Sequence, residues 1–297
     1  MSTKIRRLKI TAALIVAVCL AIVLLAPSPV APSTVCKAYN NGVLYTDDFS
    51  GIAQPVIDDA YQAAAALFGD IQQNCDDFVG QLLAAYLEAQ DKDIVIIFNA
   101  GGWGWDSIKD SPGWTSIMHG IEDEFSEMGL SYLVLDNRRT THDLNGCTSE
   151  LMLGIGLYSL KAEDLAARVE FLTSHLPETS VILAGESNGA AFCYDALRLV
   201  QDNQQVYSIQ VGPPFWNGSA SSERFLVLRN NGSMPDTFSH GDVFTIIKAN
   251  LEALLGISQQ NSGHILFYIG APGHDYSWQY EEVRLQITNF LYKNFSP

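Results

Sequence analysis

The 297-residue sequence predicts an α/β domain built on a mostly parallel central sheet flanked by helices. Three observations lead there. Six short apolar runs, Ile94–Phe98, Tyr132–Leu135, Val181–Ala184, Tyr207–Val211, Phe225–Leu228 and Ile265–Ile269, are continuous rather than alternating, as strands covered on both faces are. Between them lie stretches with helical spacing, at about 115–129, 161–176, 188–202, 241–256 and 277–294. The content of 47% hydrophobic and 10% aromatic residues is ample for a core and excludes a charged, disordered chain.

Two segments precede this core. Residues 1–33 hold Lys4, Arg6, Arg7 and Lys9, no acid, and the uncharged stretch Ile10–Ala26, followed by the proline-rich APSPVAPS. That is the pattern of a signal peptide cut before Thr34, or of an N-terminal membrane anchor through residues 10–26. Either one puts residues 34–297 outside the cytoplasm, secreted or anchored, because the bases stay on the cytoplasmic side. Residues 34–92 form a polar lead-in and then an Ala-, Leu- and Gln-rich helical prefix over 54–90, broken near Gly69. Residues 93–297 form the core.

With four of the 17 bases in residues 1–33, the remainder carries 13 bases against 33 acids, or −20. Phosphate backbones need clustered Lys and Arg, so nucleic acid is excluded as a partner. Cys19 lies in the apolar segment, and disulfides among Cys36, Cys75 and Cys147 are allowed in an oxidising compartment. Cys193 reads as an inert core thiol. No Cys/His spacing suggests zinc, no DxDxDG loop suggests calcium, and neither GxGxxG nor a P-loop is present, so no cofactor or metal is expected. Asn217, Asn231 and Asn294 match the glycosylation sequon.

The strongest local signal is Gly185-Glu186-Ser187-Asn188-Gly189, directly after an apolar strand and directly before a helix. A nucleophilic serine needs that strained strand-to-helix turn, with glycines leaving room for neighbouring backbone. From Asp93 to the C-terminus the chain resembles the α/β-hydrolase superfamily. The resemblance implies a serine, an acid and a histidine in that chain order, with an oxyanion hole after an earlier strand.

The resemblance assigns the base to His274, in the Gly273-His274 loop after the last strand; His240 is its rival. His264 begins that strand, and His119 and His175 fall in helices. The acid belongs a few residues after Phe225–Leu228, but Arg229-Asn230-Asn231-Gly232 offers no carboxylate there. Asp236 is the expected acid and Asp242 the alternative, although Asp242 also fits the cap of the next helix. After the first strand, Asn99-Ala100-Gly101-Gly102-Trp103 resembles the HGGGW loop of lipases and esterases. Gly101 and Gly102 would donate backbone N–H groups to an oxyanion, joined by Asn188. Trp103 and Trp105 read equally well as lining an acyl pocket or as packed on the surface.

The expected function is a serine hydrolase taking small-molecule acyl substrates, carboxylic esters above all. A catalytically silent binding protein of the same fold is the first rival, prompted by the missing acid beside the strand. A peptidase or acyltransferase with the same triad is the second. Residues 212–224 are too few for a large lid, which leaves the site open or covered by the helices of 54–90.

Overall fold

The computed structural model describes residues 44–69, 71–140, 159–218, 222–254 and 270–296. The leader or anchor of residues 1–33, Cys36, Cys147, His264 and the sixth apolar run lie outside the described residues. Among the described residues five strands form one sheet: β1 (Ile94–Asn99), β2 (Tyr132–Asn137), β3 (Ser180–Glu186), β4 (Val206–Val211) and β5 (Phe225–Leu228). Their spatial order is β2-β1-β3-β4-β5, and every neighbouring pair is parallel. This all-parallel sheet flanked by helices is consistent with the α/β-hydrolase fold.

Successive strand residues point to opposite faces, and each face has its own cover. On one side Ile94, Ile96, Phe98, Ile182 and Ile209 pack with Trp114, Ile117, Ile121 and Phe125 of α3 (Pro112–Met128) and with Val283, Ile287 and Leu291 of α8 (Glu281–Phe295). On the other, Val95, Ile97, Val181, Leu183 and Val206 meet α4 (Ser159–His175) and α5 (Asn188–Leu199). Burying one such Ile or Leu contributes about 1.5–3 kcal/mol, so two continuous apolar faces account for the absence of polar alternation in β1 and β3.

The prefix forms α1 (Gln54–Phe68) and α2 (Gln72–Ala89), parted at Gly69 as expected. Val56, Ala60, Phe78, Val79 and Leu82 of these helices bury against one another and against Phe171 of α4. Among the described residues no helix is long and apolar enough to cross a membrane.

The helix expected over 241–256 is present from Val243 to the end of the described stretch at Leu254, and a separate turn precedes it. A single turn, α6 (Thr237–His240), ends at Gly241 in the left-handed region (φ +71°), and α7 (Val243–Leu254) starts afresh. The Asp242 carboxylate caps α7, accepting Thr245 N at 3.1 Å and the Thr245 hydroxyl at 2.6 Å. The last helix starts at Glu281 rather than 277 because the residues before it are held against α3, with Trp278 N donating to Ser116 Oγ at 3.0 Å, and then turn at Ser277–Tyr280. Of the three sequon asparagines, Asn231 is only 3% exposed and donates to the Asp275 carbonyl at 2.7 Å, which leaves it no room for a glycan.

Candidate active site

The strand order sends the chain leaving β1 to one side, into β2, and the chain leaving β3 to the other, into β4. Loops after β1 and β3 therefore part at the carboxyl ends of adjacent strands, where an open parallel sheet leaves a crevice. Those two loops are Ala100–Trp105 and the Ser187 turn.

Ser187 sits at φ +52°, ψ −121°, the one non-glycine residue with positive φ among the described residues. That conformation costs about 1–3 kcal/mol and persists because neighbours hold it. Ser187 N–H donates to the Val211 carbonyl of β4 at 2.9 Å, and Ser187 O accepts from Ala190 and Ala191 as α5 begins. Asn188 is the first residue of α5, where N–H groups have no partner within the helix.

The β1 loop lies against this turn. A Cβ on Gly101 would stand 3.2 Å from both Ser187 Cβ and the Glu186 carbonyl oxygen, and one on Gly189 would overlap the carbonyls of Asn99 and Ala100. Asn188 Nδ2 donates to Gly102 O at 3.1 Å, bridging the two loops. From below, the fully buried Arg139 donates to Ala100 O at 2.8 Å, while Arg139 N bonds Gly104 O at 2.8 Å. Trp103 and Trp105 stack on each other, centroids 6.2 Å apart and 25° from parallel. Gly101, Gly102 and Asn188 are thus gathered around Ser187.

Asp236 lies eight residues past the end of β5, yet the intervening chain consumes that length by doubling back. Asn230 and Pro235 pair in an antiparallel bridge, and Asn231 Oδ1 accepts N–H of Ser233 at 2.9 Å and Met234 at 3.2 Å. The detour closes at its base, so Asp236 resumes next to where the strand stopped. Asp236 is fully buried, and its Oδ2 lies 2.8 Å from His274 Nδ1. Its Oδ1 accepts Phe238 N at 2.9 Å and Ser239 N at 3.1 Å, making it also the cap of α6. Asp242, the alternative acid, is an exposed helix cap whose carboxylate bonds, among the described residues, go to Thr245.

His274 is held between Phe238, whose ring centroid is 5.0 Å away, and Gly212, where a Cβ would come within 2.6 Å of Cε1. Gly212 follows the residue that receives the Ser187 N–H, so imidazole and elbow sit at one end of β4. No hydrogen bond joins Ser187 Oγ to His274; in unliganded sites such bonds are often long. The rival His240 is exposed at the end of α6. His119 is exposed on α3, and His175 packs on Phe171 and lies 3.3 Å from Asp59.

Charge in the site follows from burial and pairing. Burial pushes the Asp236 carboxyl upward, but the His274 hydrogen bond and charge, the Tyr276 hydroxyl and the Ser239 amide outweigh it and hold the carboxyl below its ordinary value. Glu186, packed beneath the β1 loop, is pushed up to about 7 by burial; the His274 charge opposes this, and Asp106 and Asp275 add to it. Burial drives the Cys193 thiol to about 12, as expected of an inert thiol, with Asn99 Nδ2 3.3 Å from its sulfur. No group of three or more His, Cys, Asp or Glu side chains is arranged to hold a metal among the described residues.

Two further residues touch the Asp236 carboxylate: Ser239, which sequence reasoning missed, and Tyr276, which the sequence offers equally as a border of the site or as core packing. Tyr276 is 2% exposed and donates to Asp236 Oδ2 at 2.7 Å, and Ser239 Oγ lies 2.9 Å from the same oxygen. A cavity of about 410 Å³ lies elsewhere, between α2, α4 and the edge strand β2, lined by residues such as Leu82, Leu133, Leu135 and Arg168. It includes none of the residues gathered around Ser187.

No protein-family model and no curated protein matches the chain. Among solved structures it is similar to Trichoderma reesei cutinase in complex with a C11Y4 phosphonate inhibitor, with TM-score 0.37 and 14% identity over 63% of this chain and 87% of the cutinase. A likeness this faint says nothing about activity.

Proposed function

We propose that this protein is a serine hydrolase that cleaves carboxylic esters through an acyl-enzyme. The observation that carries the reading is Ser187 itself: a strained, non-glycine elbow at the end of β3, with the bonded His274–Asp236 pair at the same end of the sheet. Nothing about a purely structural turn calls for a serine at φ +52°, since glycine would occupy it without strain.

In this reading Ser187 Oγ attacks the acyl carbonyl while His274 Nε2 takes its proton. Asp236 accepts the Nδ1–H, fixing the tautomer and stabilising the imidazolium. The carbonyl oxygen becomes an oxyanion that accepts from backbone N–H groups of Gly101, Gly102 and Asn188, each such donor being worth about 2.7–4 kcal/mol where it has been removed. The intermediate collapses, His274 gives the proton to the leaving alkoxide, and water attacks the acyl-enzyme with His274 again as base. Esters are preferred to amides because an alkoxide leaves more readily than an amine. We also place this activity outside the cytoplasm, on the strength of the basic and then apolar residues 1–33.

Fluorophosphonate labelling tests the proposal. Labelling of the wild type that disappears in Ser187→Ala is expected, together with turnover of p-nitrophenyl esters. A folded wild-type protein that neither labels nor turns over would leave the silent binding protein as the better reading.

A further inference from the structure

Asp236 Oδ2 is contested. His274 Nδ1 reaches it at 2.8 Å and Tyr276 Oη at 2.7 Å, while Oδ1 is occupied by two amides of α6. Ser239 Oγ is also 2.9 Å from Oδ2, but it lies 2.7 Å from the Pro213 carbonyl, and its single proton serves only one of the two. The Tyr276 hydroxyl gives its proton to Asp236 Oδ2, and Ser239 is a hydrogen-bond neighbour of the same hydroxyl. Its ring is confined as well: a Cβ on Gly212 would stand 2.9 Å from ring Cε2, and the Tyr276 carbonyl is pressed against Gly113 of α3.

Resting on the Ser187–His274–Asp236 reading, we propose that Tyr276 is a positioning residue, whose hydroxyl locks the Asp236 carboxylate in place and weakens its pull on the His274 imidazolium. The physical argument concerns one lone-pair region shared by two donors. A carboxylate oxygen already neutralised in part by a phenol attracts the Nδ1 proton less, so the phenol opposes the stabilisation that Asp236 gives the imidazolium. The phenol stays a donor throughout, because burial and the Asp236 carboxylate push its own ionisation far upward. Other charged groups face this pair. Glu186 comes from the end of β3 with Asp106 and Asp275 beside it, and Arg229 from beyond β5 acts on Tyr276. Ionised Glu186 favours the imidazolium, the opposite of the effect assigned to Tyr276.

The test is the titration of the His274 ring, followed by NMR in full-length wild type and Tyr276→Phe and assigned by its loss in His274→Gln. Removing the hydroxyl should raise the His274 midpoint by about half a unit or more, with the acid limb of kcat/KM moving the same way. In an Asp236→Asn background the same substitution should move it by less than about 0.2 units. A midpoint in Tyr276→Phe within about 0.2 units of wild type, whatever happens to Tm, would overturn the inference. If Tyr276→Phe does not fold, 3-fluorotyrosine at position 276, a stronger donor, should lower the midpoint, and no change there overturns it equally. Ring titration is read without turnover, whereas fluorophosphonate labelling reads the serine, so failure of the triad and failure of this role are separate results.

Discussion

Gly189, the last glycine of the elbow, lies directly against the carbonyl of Asn99 at the end of β1, so closely that a Cβ would overlap that oxygen. The contact joins the helix carrying the nucleophile to the loop that would bind the oxyanion. Gly189→Ala must push the two apart. We expect ester hydrolysis to fall at least tenfold and stability to drop by about 1–3 kcal/mol, read by urea unfolding and p-nitrophenyl ester turnover on the same preparation. Unchanged stability and turnover would show that the contact is not obligatory.

Ser187 should trade stability for activity. Replacing it by glycine removes both the hydroxyl and the strain of φ +52°. Ser187→Gly is therefore expected to be inactive, yet more stable than Ser187→Ala by about 1 kcal/mol, since alanine keeps the strained backbone with a Cβ. Thermal melts of the two variants at one pH decide it.

The two aspartates separate cleanly. Asp236→Asn takes the charge from the His274 partner and should lower kcat by about 10³–10⁴. Asp242→Asn leaves a competent cap on α7 and should leave thermal stability close to wild type, with kcat within twofold. Comparable activity losses in both would contradict the assignment of Asp242 as cap alone.

Glu186 makes stability depend on pH. Its folded-state value, about 7, lies above the ordinary 4.5, so the native state holds a proton that the unfolded chain releases as pH rises through that window. Stability from this group is present below about 4.5 and is lost between there and about 7. Glu186→Gln should match wild type at pH 4 and exceed it by about 1–3 kcal/mol at pH 8, allowing for partial solvation. Equal urea midpoints at both pH values would refute it.

Much of this was legible in the sequence because the features are local. The five described strands fall on the apolar runs named for them, since a strand buried on both faces has no option but continuous apolar side chains. The Ser187 turn was legible for the same reason, its glycines and serine lying within five residues. The acid was harder: a carboxylate eight residues from its strand looks misplaced until the Asn230–Pro235 bridge is seen, and bridges leave little trace in composition. The turn α6 ahead of Gly241 was not legible, because four residues are too few to show helical spacing. The bond from Tyr276 to Asp236 was not legible because the two are 40 positions apart, and only the fold brings them together.

The bridge between Asn230 and Pro235 bears on how such a protein can vary. A detour that is pinned at its neck delivers the same carboxylate whether it is short or long. Ser233 and Met234, exposed in that detour, can then vary over evolutionary time, while Asn231, buried and bonded to the Asp275 carbonyl, is held in place. Scanning a sequence for an acid at a set count after the strand would overlook every such variant, whereas scanning for a turn that can close and is followed by a helix-capping aspartate would retain them.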